Sequence, residues 1–317
     1  MTISRSAHAV VFEGPRRLTR RPVGIVSRGP GEVLVRTLFS GISTGTERLF
    51  YTGEMPDFPG MGYPLVPGYE TVGEVLQAEP RSGLSAGDRV FVPGANCYSD
   101  ARGLFGGASS LLLTPAHRVV AVDAAIGEDA VLFALAATAY HAVRPQPGAP
   151  LPDLIVGHGA LGRLIARITV ALGGAPRVWE TRAERRDAAA AYTVCDPDGD
   201  SSRRFATIID ASGHGASFER WIEHLAPRGE LVLAGFYTDA LRFNFVPAFL
   251  REARVRVAAQ WLPQDLEAVR LLVNGGQLSL AGIVNCRAPI EAADGAYRQA
   301  FEDPACLKMV LDWRNVQ

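Results

Sequence analysis

The sequence predicts an α/β protein in which a β-rich domain is joined to a doubly wound parallel-sheet domain, and three observations carry that prediction. From Ala7 to about Asp123, short apolar runs alternate with Gly- and Pro-rich turns. From Ala130 the pattern changes to alternating strand-like and helix-like segments, the mark of a parallel sheet. Between two such segments lies the turn Gly157-His158-Gly159-Ala160-Leu161-Gly162, which leads into an amphipathic run.

Taken in order, the first region predicts strands at His8-Phe12, Val33-Phe39, Thr71-Leu76 and Arg89-Val92, separated by turns such as Gly29-Pro30-Gly31 and Ser85-Ala86-Gly87-Asp88. A helix is expected over 130–143, then a strand at Leu154-Val156 and a helix over 161–172. Further strands are expected at Arg177-Glu180, Thr207-Asp210, Glu230-Ala234 and Val255-Ala259, with helices at Ala183-Ala191, Ser217-Leu225 and Pro247-Arg251 between them. Asp265-Val273 reads as a helix stopped by Asn274-Gly275-Gly276, and the chain closes on the apolar run Leu307-Trp313. These patterns divide the chain into residues 1–123, completed by 264–317, and residues 124–263.

The 317 residues, 48% hydrophobic and 21% charged, suffice for two ordinary cores. A net charge of -1 offers no basic field for a phosphate backbone, so nucleic acid is not an expected partner. No apolar run approaches the ~20 residues of a membrane span. The apolar stretch near the start, broken by His8, is too short for a signal peptide, and the expected location is the cytoplasm. Cys97, Cys195, Cys286 and Cys306 form no C-x-x-C pair and read as inert thiols. Lys308 is the sole lysine, which excludes Schiff-base chemistry and a tyrosine-lysine pair four residues apart.

In the glycine turn, Gly157 allows the tight bend, Gly159 lets a pyrophosphate approach the backbone, and Gly162 permits close helix packing. The N–H groups that open the helix at Ala160 and Leu161 complete a phosphate site, with His158 beside it. Glu180, 23 residues after Gly157 at the end of the next strand, is placed to accept hydrogen bonds from an adenosine ribose. Its charge favours NAD over NADP, whereas Arg182, Arg185 and Arg186 work the other way. Ser212, Gly213, Gly235 and Phe236 follow later strands and would meet the nicotinamide half.

The order of parts resembles the medium-chain alcohol dehydrogenases over nearly the whole chain, which implies a GroES-like domain and a Rossmann domain. Ser40-Gly41-Ile42-Ser43-Thr44-Gly45-Thr46-Glu47 is similar to the family's first metal-ligand loop, Gly68-Tyr69-Glu70 to its Gly-His-Glu, and the helix around Ala134 to Thr138 to the one bearing the third ligand. Zinc members hold Cys, His and Cys or Glu there; this chain has Ser43, Tyr69 and Ala134. Alanine has no donor atom, and serine and tyrosine are poor zinc ligands at neutral pH, so no zinc is expected. The segment Arg89 to Val119 contains only Cys97, so the cysteine-rich structural-zinc lobe is missing too.

A closer resemblance, to the zinc-free dehydrogenases that oxidise the hydroxyethyl side chain of bacteriochlorophyllides, rests on Ser40 to Glu47, Phe50 to Gly53, Phe58 to Pro64, Cys97-Tyr98, Gly103 to Gly107 and Trp179 to Arg182. It implies NAD as hydride acceptor, a tetrapyrrole substrate whose magnesium is its own, and a place in bacteriochlorophyll synthesis for photosynthesis. It also implies a homodimer formed through the edge strand near Val255.

Oxidising an alcohol without zinc requires another group to accept the hydroxyl proton. The candidates are Tyr69, Ser43, Thr46, Glu70 and His141, with Tyr69 first because its hydroxyl donates or accepts and occupies a former ligand position. An unperturbed tyrosine pKa near ~10 makes it a reluctant base, although a positive nicotinamide would favour its phenolate. Simple packing of Tyr69 into the vacated site, and a structural role for Glu70, stand beside these readings. Phe50, Tyr51, Met55, Phe58, Met61, Tyr63 and Phe105 suit an apolar wall for a flat ring system, or equally a satellite core. Two other functions remain open at this point: a zinc-free NADPH-dependent quinone or enone reductase, and a dinucleotide-binding sensor without catalysis.

Overall fold

The computed structural model describes residues 3–27, 29–144, 148–186, 191–201 and 204–316. Residues 1–134 with 281–317 form one compact unit, and residues 135–280 form a second.

The spine of the first unit is the strand Glu32–Ile42, which carries the β-branched Val33, Val35, Thr37 and Ile42 and is buried along nearly its whole length. One side pairs antiparallel with Thr71–Gln77, which pairs in turn with Arg89–Val92. On the other side its first half meets Leu111–Pro115 and its second half meets Met309–Asp312. The strand Cys286–Pro289 lies beyond, parallel to Met309–Asp312. The register sets the chemistry, because Ser40 faces both Thr71 and Leu311. Ser43 therefore leaves the spine beside Tyr69 and Glu70, with the last residues of the chain next to both.

A second sheet, containing the hairpin of Ile3–Gly14 with Arg17–Val26, covers the other part of this unit. Arg17–Val26 is not among the expected strands; its outer half is exposed and carries Arg17, Arg20, Arg21 and Pro22. A strand at a sheet edge that keeps charges and proline on its exposed side shows no apolar alternation to find.

The second unit is a six-stranded sheet in which neighbouring strands run parallel, in the order Thr193–Cys195, Arg177–Trp179, Leu154–Val156, Phe205–Asp210, Leu225–Leu233 and Arg254–Val257. The chain enters at the centre, runs outward to one edge and returns across the first strand. That reversal opens a crevice at the carboxyl ends of Leu154–Val156 and Phe205–Asp210. Helix Ala160–Ala171 packs Leu164, Ile165 and Ile168 inward, as its amphipathic pattern predicts.

Several expected elements change. The helix expected from residue 130 begins at Phe133, preceded by 3-10 turns over Ala124–Leu132 that break at Gly127, where φ is 63°. In place of a helix over 183–191 there is one 3-10 turn at Ala183–Arg185; residues 187–190 lie outside the described set. The units also divide after Ala134 and after Leu280 rather than near 123 and 263. Phe133 stacks on Phe91, which keeps residues 124–134 with the first unit. Asp265 bonds His141, and Arg167 bonds the Ser279 carbonyl, which keep helix Pro263–Asn274 and the following turn with the second. The cysteines, distant in sequence, include one adjacent pair: Cys286 packs on the cluster holding Cys306, and burial with the neighbouring thiol pushes Cys306 up to about 12.

Candidate active site

In the second unit, three glycines of the turn have different reasons to be glycine. Gly157 has φ of 94°, a region where a Cβ is strained, and approaches Ser212 closely. A Cβ on Gly162 would stand 1.9 Å from the Gly157 carbonyl oxygen, so helix-on-turn packing requires its absence. Gly159 is different: its φ is -74°, and a Cβ there would meet nothing closer than an Arg185 nitrogen at 3.7 Å. Neither backbone strain nor a protein neighbour demands glycine at 159. The space in front of it, at the uncapped N-terminus of a 12-residue helix, fits a phosphate group.

Glu180 is buried at 6% exposure beside that turn, accepting hydrogen bonds from the backbone N–H of His158 at 2.8 Å and of Arg182 at 2.9 Å. Each carboxylate oxygen keeps capacity for a further donor such as a ribose hydroxyl. His158 corrects its expected part. Its imidazole is buried and bonds the Arg185 carbonyl and the Tyr192 hydroxyl, so only its backbone faces the turn. On the returning strand, buried Asp210 receives hydrogen bonds from the Ser212 N–H and hydroxyl, the Gly213 N–H and the Tyr237 hydroxyl. Asp210 thereby shapes both predicted nicotinamide loops, since a Cβ on Gly235 would clash with Gly213. Phe236 is 45% exposed. His141 is bonded through Nδ1 to Asp265 at 2.9 Å and belongs to the second unit.

In the first unit, Ser43 Oγ and Tyr69 Oη lie 2.6 Å apart, and Thr46 stands beside Tyr69, where it favours ionisation of the phenol. Three hydroxyls thus gather where the resemblance places metal ligands, while Ala134 contributes only a buried methyl. Burial and then the charge of Glu70 push the Tyr69 phenol well above its ordinary value. This runs against a phenolate base and favours a protonated Tyr69 that passes hydrogen bonds on.

Behind the hydroxyls lies a charged layer that pattern reading does not find. Glu70, fully buried, accepts two bonds from Lys308 Nζ at 2.8 and 2.6 Å, and Lys308 also donates to the Ile42 carbonyl. A Cβ on Gly41 would come within 2.2 Å of the Glu70 carboxylate, so Gly41 makes room for this pair. Glu47, also fully buried, accepts from the Ser43 N–H at 3.0 Å and the Tyr297 hydroxyl at 2.9 Å. The one available signal was compositional: a single lysine among 32 basic residues marks a place where a guanidinium does not serve.

Burial pushes the Glu47 carboxyl up to about 8, against the opposing bond from the Ser43 N–H. A folded-state pKa above the unfolded value means that the folded protein holds the proton more tightly. Glu47 therefore contributes its full stability below about pH 4.5 and loses it as pH rises through 8. Glu47→Gln, uncharged and similar in shape, is expected to flatten that decline by roughly 4 kcal/mol at pH 9 relative to pH 5. Denaturant unfolding of both proteins at the two pH values measures it; equal declines would refute the assignment.

The predicted aromatic wall divides into two parts. Phe58 and Met61, with Met55, Pro56, Asp57 and Pro59, line an open recess of about 450 Å³, within the range of small-molecule sites. Phe105 connects this group to the hydroxyls, edge-on to Phe58 at 6.3 Å and to Tyr69 at 5.5 Å. Phe50 is fully buried and backs Phe58 and Phe105, so it cannot be a surface wall. Tyr51 packs on Phe12 and Phe301, and Tyr63 donates to the Phe50 carbonyl.

Residues 29–124 match the family described as the alcohol dehydrogenase GroES-like domain. The chain is 54% identical over 312 residues to the 2-desacetyl-2-hydroxyethyl bacteriochlorophyllide A dehydrogenase of Cereibacter sphaeroides, covering 96% of this chain and 98% of that protein. It is 53% identical over 310 residues to the protein of the same name from Rhodobacter capsulatus, covering 97% and 98%. A solved alcohol dehydrogenase of Escherichia coli CFT073, complexed with NADH, shares the fold with a TM-score of 0.82 at 18% identity, covering 97% of this chain and 99% of that one. With more than half its residues identical along almost the full length of two relatives, the chain belongs to the 2-desacetyl-2-hydroxyethyl bacteriochlorophyllide A dehydrogenase family, within the medium-chain dehydrogenases.

Proposed function

We propose that this protein oxidises the hydroxyethyl side chain of a bacteriochlorophyllide to an acetyl group, with NAD as hydride acceptor, in bacteriochlorophyll synthesis. The observation that carries the substrate is the 54% identity, over nearly all of both chains, to a dehydrogenase named for that compound. The open space at Gly159 and the buried carboxylate of Glu180 support a dinucleotide in the second unit. Arg186 is engaged by Asp196, which leaves it less available to a 2′-phosphate and favours NAD over NADP.

Bound NAD would take the hydride; this chain must handle the proton. Among the described residues no three His, Cys, Asp or Glu side chains form a possible metal site, and Ser43, Tyr69 and Ala134 offer no zinc-binding set. A hydroxyl relay serves instead. The substrate hydroxyl gives its proton to Tyr69 Oη as the Tyr69 proton passes to Thr46, whose own proton leaves to water. No phenolate forms, which suits a site where burial and the charge of Glu70 disfavour one. Thr46 is partly exposed and provides the exit, while Ser43, at 6% exposure, holds the Tyr69 hydroxyl in line. Phe58, Met61 and Phe105 offer the apolar surface for the macrocycle. The outer strand Arg254–Val257, with Val257 71% exposed, supports pairing with a second copy.

Purified protein given the hydroxyethyl bacteriochlorophyllide is expected to form NADH and the acetyl product, at least tenfold faster with NAD than with NADP and unchanged by a chelator. A protein that binds NADH but never turns over would remove the enzymatic reading. A preference for NADP would remove only the cofactor assignment.

A further inference from the structure

The buried ion pair behind the hydroxyls lies at a revealing place in the chain. Ile42 immediately precedes Ser43, and Glu70 immediately follows Tyr69. Lys308 Nζ holds both neighbours at once, donating to the Ile42 carbonyl at 3.2 Å and to the Glu70 carboxylate at 2.8 and 2.6 Å. The residues on its two sides are those whose hydroxyls meet at 2.6 Å. A backbone bond from the Gly41 N–H to the Glu70 carbonyl closes the same corner. Lys308 is 3% exposed and Glu70 fully buried, so neither reaches substrate.

We propose that Lys308 is a positioning residue for proton transfer at Tyr69: it clamps the Ser43 loop and the Tyr69 segment together from behind and neutralises the carboxylate beside the phenol. This rests on the reading that Tyr69 handles the substrate proton. Two features separate the clamp from an incidental ion pair. First, a compact ammonium with three donors serves a carbonyl and a carboxylate in different directions, a geometry that a planar guanidinium does not match. Second, the same C-terminal segment supplies a second strut, because Tyr297 bonds Glu47, which in turn bonds the Ser43 N–H. The returning residues 281–317 thereby reach both halves of the hydroxyl pair. Without Lys308, Glu70 would leave an uncompensated charge next to Tyr69, and the Ser43 loop would lose one anchor.

Lys308→Met, Tyr69→Phe and the double variant test this, with kcat, NADH affinity and melting temperature measured for each. Lys308→Met is expected to lower kcat at least tenfold with NADH affinity within twofold of the parent. In the Tyr69→Phe background the same change is expected to lower kcat less than twofold further, because the clamp acts through the hydroxyl that is already gone. Because removing one partner of a buried ion pair is strongly destabilising, Glu70→Gln/Lys308→Met serves as the second variant; it removes both charges and still lacks the bond to Ile42, so kcat should remain at least fivefold low. A folded, NADH-binding Lys308 variant with kcat within twofold of the parent would overturn the proposal, as would losses that multiply fully in the double variant. If Tyr69→Phe alone retains parent activity, the role of Tyr69 falls instead.

Discussion

Tyr69→Phe is expected to lower kcat by about 100-fold, the lower end of what a positioned proton-transfer group contributes, while dinucleotide affinity stays the same. The substitution removes one oxygen and keeps the ring that packs edge-on against Phe105. The local fold should therefore survive. The buried Ser43 hydroxyl loses its 2.6 Å partner, at a stability cost of roughly 1 to 3 kcal/mol. A packing role for Tyr69 gives the opposite pattern, since phenylalanine fills the same space and would leave kcat unchanged. Thr46→Val separates the relay from a single donor: with Thr46 as the exit, its loss should slow turnover at least tenfold even though Tyr69 remains. Steady-state kinetics on both variants decide it. Activity within twofold of the parent for Tyr69→Phe would sink the hydroxyl relay.

Local sequence patterns encode part of this protein, and the rest depends on contacts between residues far apart in the chain. The strand Glu32–Ile42 and the glycine turn are local: β-branched runs and a spaced set of glycines carry their own geometry. Ser43, Tyr69 and Ala134 became informative through resemblance, because an alanine where a ligand is expected is a chemical statement. Lys308 and Tyr297 were out of reach, since they meet Glu70 and Glu47 across 238 and 250 residues. No periodicity records such a meeting. The aromatic loops fail for a related reason. Phe50 sits in a helix of only seven residues, Thr46–Thr52, and Phe58 in the loop after it; neither stretch holds a repeat long enough to show which way a side chain points, so the two look alike in sequence although one is core and the other lines a recess. The imidazole of His158 turned to Arg185 and Tyr192 for the same cause.

The two glycines that open and close the helix turn are expected to fail in opposite ways. Gly159→Val should leave folding intact, because φ of -74° suits a β-branched residue and the nearest protein atom to its Cβ is the far end of the Arg185 side chain at 3.7 Å. Its methyl groups would instead occupy the space assigned to the pyrophosphate, and NADH affinity should fall by about 100-fold or more, equivalent to roughly 3 kcal/mol. Gly162→Ala puts a methyl 1.9 Å from the Gly157 carbonyl oxygen, a backbone atom that cannot move aside without shifting the turn. That strain should cost about 3 kcal/mol of stability, at the upper end of ordinary overpacking. Fluorescence titration with NADH and denaturant unfolding separate the two effects. If Gly159→Val binds NADH as tightly as the parent, this turn does not hold the phosphates, and if Gly162→Ala is as stable as the parent, the helix is not packed by the missing Cβ. The contrast matters because it gives each glycine of the motif its own readout, ligand affinity for the one kept for the phosphates and stability for the one kept for the fold.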